Sequence, residues 1–157
     1  MQKITTCLWC DNNAEEAANF YVSIFPNSKV LGVARYTDAG PGPAGSVMTV
    51  DFELDGRPFF ALNGGPLFKF TEAISLVVNC ETQQEIDRYW DKLGAGGQVQ
   101  QCGWLKDKYG LSWQVVPTFL AIEMRQTKDP ARLNRVMKVV LASVKLDIKQ
   151  LQDAFAG

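Results

Sequence analysis

The sequence predicts an α+β fold: a βαβββ unit written twice, forming a curled mixed sheet with a concave trough, followed by a helical arm. Three observations carry this prediction. Two helices share one capping and apolar register 69 residues apart, alternating strands follow each of them, and the pattern turns purely helical after Pro117.

The apolar run "TTCLWC" (5 to 10) reads as the first strand. In "NAEEAANFYVSIF", Asn13 is placed to cap a helix and Glu16 to close a capping box, while Ala17, Phe20, Tyr21 and Ile24 follow the i, i+3, i+4, i+7 spacing of one buried stripe. Strands are expected at "SKVLGVARYT" (28 to 37) and "SVMTVDFEL" (46 to 54), on either side of the loop "DAGPGPAG". Asp55-Gly56 then makes a tight hairpin turn into "RPFFALN".

From Thr82 the pattern returns. Thr82 and Glu85 form the box, and Ile86, Tyr89, Trp90 and Leu93 form the stripe; a shift of 69 carries Thr82 to Asn13, Glu85 to Glu16, Tyr89 to Phe20 and Leu93 to Ile24. The same shift lays "ISLVVN" (74 to 79) over the first strand. Two strands, "GQVQQCGWLK" and "LSWQVV", then meet across a turn that includes Tyr109-Gly110. The expected domain is 1–117, with module one at 1–66 and module two at 72–117, and an extension at 118–157. In that extension Thr118 to Arg125 makes a short helical turn. Asp129 caps a longer helix that starts at Pro130, with Leu133, Val136, Met137, Val140 and Leu141 on its apolar face, and Asp147 caps a last helix at 148–155. The arm is expected to pack on the domain or on a second subunit.

At 157 residues and 46% hydrophobic, the chain can bury a core, and its net charge of -1 excludes the basic footprint of a nucleic-acid or anionic-lipid binder. No apolar run approaches the length of a spanning helix, and "MQKITTCLWC" lacks the apolar core of a signal peptide, so a cytoplasmic location with reduced thiols is expected. Cys7 and Cys10 form a C-x-x-C on a strand, where residues three apart point to opposite faces, so they are not expected to share a zinc ion. Cys80 and Cys102 read as small buried hydrophobes.

The chain has no histidine, so general acid–base work at neutral pH would need a shifted carboxylate, lysine or cysteine. The available charges read otherwise. Asp51 and Glu53 alternate with Val50, Phe52 and Leu54 as on a half-exposed strand; Lys106, Asp107 and Lys108 read as turn charges; Arg132, Arg135 and Lys138 read as a solvated helix face. The "GAGG" run (94 to 97) follows a helix and precedes a strand, the reverse of the order a nucleotide-type cofactor loop requires, and "NGGP" (63 to 66) reads as a linker.

The duplicated pattern, "NFY" in the first helix and the hairpin "DKYGLSWQ" resemble the vicinal oxygen chelate, or glyoxalase/bleomycin-resistance, superfamily. Within it, "FYVSIFPNS", "GPGPAGSVMTV", "ALNGGP", "CGWLKDKYGLSWQVVP" and the helical tail resemble the PhnB-like group commonly labelled 3-demethylubiquinone-9 3-methyltransferase. The resemblance implies a two-module trough in which enzymatic members hold a divalent metal with His, Glu or Gln on the first and last strand of each module. The matching positions are Thr6, Ser75, Gln114 and either Phe60 or Leu62. Three of the four lack a metal-binding group, so no metal ligand set is expected. Gln114 would face the trough with Ser112 and Val116, while Trp113 packs under a helix; Trp104 is expected either as a flat wall for a ligand or as a core or dimer contact.

The implied lining is Thr6, Leu8, Cys10, Phe60, Leu62, Ser75, Val77, Asn79, Trp104 and Gln114. Such a surface suits an uncharged or aromatic small molecule, bound or sequestered without cofactor by a homodimer, with no nucleic-acid or membrane partner. The alternatives are an enzyme of the glyoxalase/dioxygenase type with an atypical metal site, or the methyltransferase of the family label.

Overall fold

The computed structural model describes all residues, 1–157, as two compact units, Met1–Phe70 and Thr71–Gly157. The first unit runs β1 (Thr6–Cys10), α1 (Ala14–Ile24), β2 (Lys29–Arg35), β3 (Val47–Leu54) and β4 (Arg57–Asn63). Its sheet order is β1-β4-β3-β2, with β1 parallel to β4 and the other pairs antiparallel. The second unit repeats it with β5 (Ser75–Cys80), α2 (Gln83–Gly94), β6 (Gln98–Val99), β7 (Trp104–Lys106) and β8 (Ser112–Pro117), in the order β5-β8-β7-β6. Then come α3 (Thr118–Gln126), α4 (Pro130–Ala142) and α5 (Ile148–Ala156). The α+β class and the doubled βαβββ unit hold.

Alternation decides each core. Val50, Phe52 and Leu54 on β3 and Phe59 and Ala61 on β4 are buried, Phe52 and Phe59 stack, and Ala17, Ala18, Tyr21 and Ile24 of α1 are buried with them. In the second unit Ile86, Tyr89, Trp90 and Leu93 form the predicted buried stripe of α2, beside buried Val78, Leu105, Trp113 and Val115. The Asp55-Gly56 hairpin has positive φ at both central residues, 49° and 74°, as a two-residue primed turn requires.

The first helix is capped differently from expectation. Asn13 makes no side-chain cap bond; instead the Asn63 Oδ1, at the end of β4, accepts from the Ala14 N–H at 2.9 Å while its Nδ2 donates to the Val47 carbonyl at 3.1 Å. Asn63 therefore ties helix, loop and sheet together, and the Tyr36 hydroxyl adds a 2.6 Å bond to its carbonyl. Replacing Asn63 with alanine should cost about 2 kcal/mol, a cap plus a buried amide bond. A thermal melt that finds Asn13→Ala as costly as Asn63→Ala would refute this assignment. In α2, Thr82 does cap, accepting from the Glu85 N–H at 3.2 Å, but the Glu85 carboxylate accepts from Glu81 rather than from Thr82.

The predicted strand 97–106 is broken. Cys102 and Gly103 take φ of 64° and 80° in the turn where β6 folds back to pair antiparallel with β7, and their two successive N–H groups donate to the carbonyls of Ser143 and Val144, each at 2.8 Å. Cys102 is half-exposed rather than buried. The arm thus packs on the second unit. Leu120, Val136, Leu146, Leu151 and Phe155 form its core, Asp129 and Asp147 cap as predicted, and Leu141, expected on the apolar face, is 64% exposed. No helix is long and apolar enough to cross a membrane.

Candidate functional site

In the second unit the register places Ser75, Val77 and Asn79 of β5, Ser112, Gln114 and Val116 of β8, and Trp104 and Lys106 of β7 on one face. Leu76, Val78, Trp113, Val115 and Leu105 take the other face, as the alternation predicts. The Gln114 Nε2 donates to the Ser75 Oγ at 2.9 Å. The Gln114 carbonyl oxygen is left to accept from a ligand, with the half-exposed Trp104 beside it across the ladder. Ser112 is fully buried and its Oγ has no hydrogen-bond partner. Next to it in the ladder Lys106 pairs with Glu72, and that bond holds the Glu72 carboxyl below its ordinary range. All five second-unit positions predicted as lining, Ser75, Val77, Asn79, Trp104 and Gln114, therefore lie together.

The first-unit positions do not. β1 pairs Thr6 with Phe59, Leu8 with Ala61 and Cys10 with Asn63, so Thr6, Leu8 and Cys10 share the helix-covered face, and Leu8 and Cys10 are buried. Phe60 and Leu62 lie on the opposite face, paired with Cys7 and Trp9. The cause is one residue. Three residues separate β1 from α1 and two separate β5 from α2, so the helices repeat at a shift of 69 but the strands at 70, which carries Val78 to Leu8 and Cys80 to Cys10. A one-residue slip moves every side chain of a strand to the other face. The counterpart of Ser75 is Thr5, that of Val77 is Cys7 and that of Asn79 is Trp9. Pairing also resolves the ambiguous position, because Cys7 opposes Phe60 as Val77 opposes Gln114. On this face a cavity of about 750 Å³ is lined by Thr5, Leu31, Asp51, Glu53, Pro58 and Phe60 among others.

Trp9 and Asp107 escaped the sequence reading. The Trp9 indole donates to the Gly65 carbonyl at 2.9 Å, meets the edge of Phe68 at 4.8 Å, and lies where any Cβ on Gly64 would overlap it. The "NGGP" run is thus the seat of a tryptophan as well as a linker. Asp107, expected as a turn charge, is 3% exposed: its Oδ1 accepts from the N–H groups of Tyr109 and Leu111 and its Oδ2 from the Trp113 indole at 2.8 Å. The signal was an Asp two residues before Tyr-Gly in a turn, the Asx pattern.

The arrangement offers little reactive chemistry. No three His, Cys, Asp or Glu side chains come close enough to share an ion, and Ser, Gln and Phe at the strand positions do not fit a divalent metal. Burial, with Glu85 and Glu81 nearby, pushes the Cys80 thiol up to about 12, and partial burial raises Cys7, so both are poor nucleophiles at neutral pH. The strand-to-helix connections, 11–13 and 81–82, contain no glycine, and Gly97 is pressed against the Lys106–Asp107 backbone.

A family model described as 3-demethylubiquinone-9 3-methyltransferase matches residues 2–116. A putative 3-demethylubiquinone-9 3-methyltransferase, PhnB protein, from Bacillus cereus is 41% identical, with a TM-score of 0.68 over 74% of this chain and 99% of that one. Protein PA1353 from Pseudomonas aeruginosa has a TM-score of 0.61 at 20% identity, covering 74% and 98% of the two chains. The fosfomycin resistance protein FosX from Listeria monocytogenes, complexed with Mn(II) and sulfate, has 0.55 at 14% identity, covering 81% and 100%. These last two show the fold alone. No curated protein sequence matches. A family model that spans residues 2–116, nearly all of both βαβββ units, together with the 41% identical PhnB protein, places this chain in the PhnB-like 3-demethylubiquinone-9 3-methyltransferase family.

Proposed function

We propose that the chain binds an uncharged or aromatic metabolite on the face of its second sheet that carries Gln114 and works by sequestration or delivery, without a metal. The observation that carries this is the Gln114–Ser75 pair set beside Trp104: a neutral amide oriented by a neutral hydroxyl, next to a flat apolar ring. Such groups orient a ligand and offer no nucleophile or proton relay. Val77 and Asn79, both exposed, extend the same surface. The reading includes a cytoplasmic homodimer, in keeping with four cysteines that form no disulfide.

The family's name supplies the competing reading, a methyltransferase. Native mass spectrometry of the purified chain should find a small uncharged or aromatic molecule retained. Gln114→Leu should weaken its binding by about tenfold, the worth of one well-placed buried hydrogen bond. A melting shift with S-adenosylmethionine that Gln114→Leu abolishes, or one divalent ion per chain by metal analysis, would replace this reading with an enzymatic one.

A further inference from the structure

We propose that the three C-terminal helices hold a second binding site, specific for a small zwitterion with an apolar body, an amino acid of the phenylalanine type. A cavity of about 430 Å³ opens between α3, α4 and α5, lined by Phe119, Glu123, Arg132, Gln152, Phe155 and Ala156. Arg132 was expected on a solvated face. Instead its Nε is buried without a hydrogen-bond partner, although the next arginine along the helix, Arg135, donates to the Ala154 carbonyl at 3.0 Å. The Arg132 side chain also lines the cavity, so its guanidinium is placed to donate to a ligand carboxylate there.

The rest of the lining narrows the class. Glu123 and Arg132 border the same cavity without forming an ion pair with each other, so the walls present one negative and one positive group. A simple anion would be repelled by the first. An amino acid carries carboxylate and ammonium together at neutral pH, and matches both. Between them Phe119 and Phe155 meet edge to face at 5.9 Å and give an aromatic or branched side chain an apolar seat. The Gln152 amide adds a neutral donor and acceptor at the rim. The volume is within the range of small-ligand sites. None of its lining residues belongs to the face that carries Gln114.

Saturation-transfer NMR on the full chain, with L-phenylalanine, 3-phenylpropionate and 2-phenylethylamine titrated separately, tests it. L-Phenylalanine should bind saturably, and the two analogues that lack one charge should bind at least about tenfold more weakly. Arg132→Gln and Glu123→Gln should each weaken L-phenylalanine about tenfold while Gln114→Leu leaves it unchanged. Glu123 is partly exposed and outside the arm's core, so its variant keeps the test decisive if Arg132→Gln unfolds. No saturable L-phenylalanine binding at millimolar concentration, equal binding of 3-phenylpropionate, or an unchanged affinity in a folded Glu123→Gln protein would each overturn the proposal.

Discussion

Asp107→Ala is expected to lower the unfolding free energy by about 3–5 kcal/mol, the largest loss available from a single polar side chain in this fold. The carboxylate accepts at once from two backbone N–H groups of its own turn and from the indole of a buried strand residue. Deleting it leaves three donors in or near the interior unpaired, at about 1–3 kcal/mol each before any relaxation. The side chain also braces a turn that its backbone closes, in which the Gly110 N–H donates to the Asp107 carbonyl and the Asp107 N–H to the Leu111 carbonyl, both at 2.9 Å. For a chain of this size about 4 kcal/mol corresponds to a fall in Tm of roughly 8–16 °C. Asp107→Asn keeps a carbonyl acceptor and should lose about half as much, because its amide hydrogens oppose one of the incoming donors. A calorimetric Tm for Asp107→Ala within about 2 °C of wild type would show that the turn holds itself.

How much of this was legible follows from what each signal depends on. Periodicity alone gave α2, whose four predicted apolar residues are the four buried ones, and it sorted β8 into its two faces. Both depend only on neighbours in sequence. The first-unit site failed because the repeat was aligned on its helices, whereas the face a strand presents depends on the parity of the loop before the helix, and one fewer residue in 81–82 than in 11–13 reverses it. The shared placement of Cys10 and Cys80 at strand ends was the available clue. The Asn63 cap was not legible, since its acceptor comes from 49 residues along the chain. Asp107 and Arg132 fall in one category: a charged letter in a turn or on a helix reads as solvated unless the fold lays another element across it.

The arm owes its seat to a glycine, and the second prediction reads that dependence directly. Gly103 has φ of 80°, its N–H bonds the Val144 carbonyl and its own carbonyl accepts from the Val115 N–H, both at 2.8 Å. A Cβ added there would sit 2.9 Å from the Val115 carbonyl oxygen and 3.1 Å from Leu146, the first a backbone atom of a central strand and the second a core residue of the arm. Left-handed backbone costs an alanine about 1–2 kcal/mol, and displacing β8 or Leu146 costs a further 1–3, so Gly103→Ala should destabilise by about 2–5 kcal/mol. The neighbouring position separates strain from contact. Cys102 already has φ of 64° with a side chain, so Cys102→Gly relieves backbone strain and should change stability by less than about 1 kcal/mol. Hydrogen exchange supplies the location. If Gly103 is the hinge pin between sheet and arm, its alanine variant raises exchange in α4 and α5 before the β5–β8 ladder, while Gln83, clasping the Leu146 carbonyl and the Ile148 N–H, keeps the arm partly attached. Exchange that rises evenly through sheet and arm would mean that the two unfold as one cooperative body, with Gly103 only one packing contact among many.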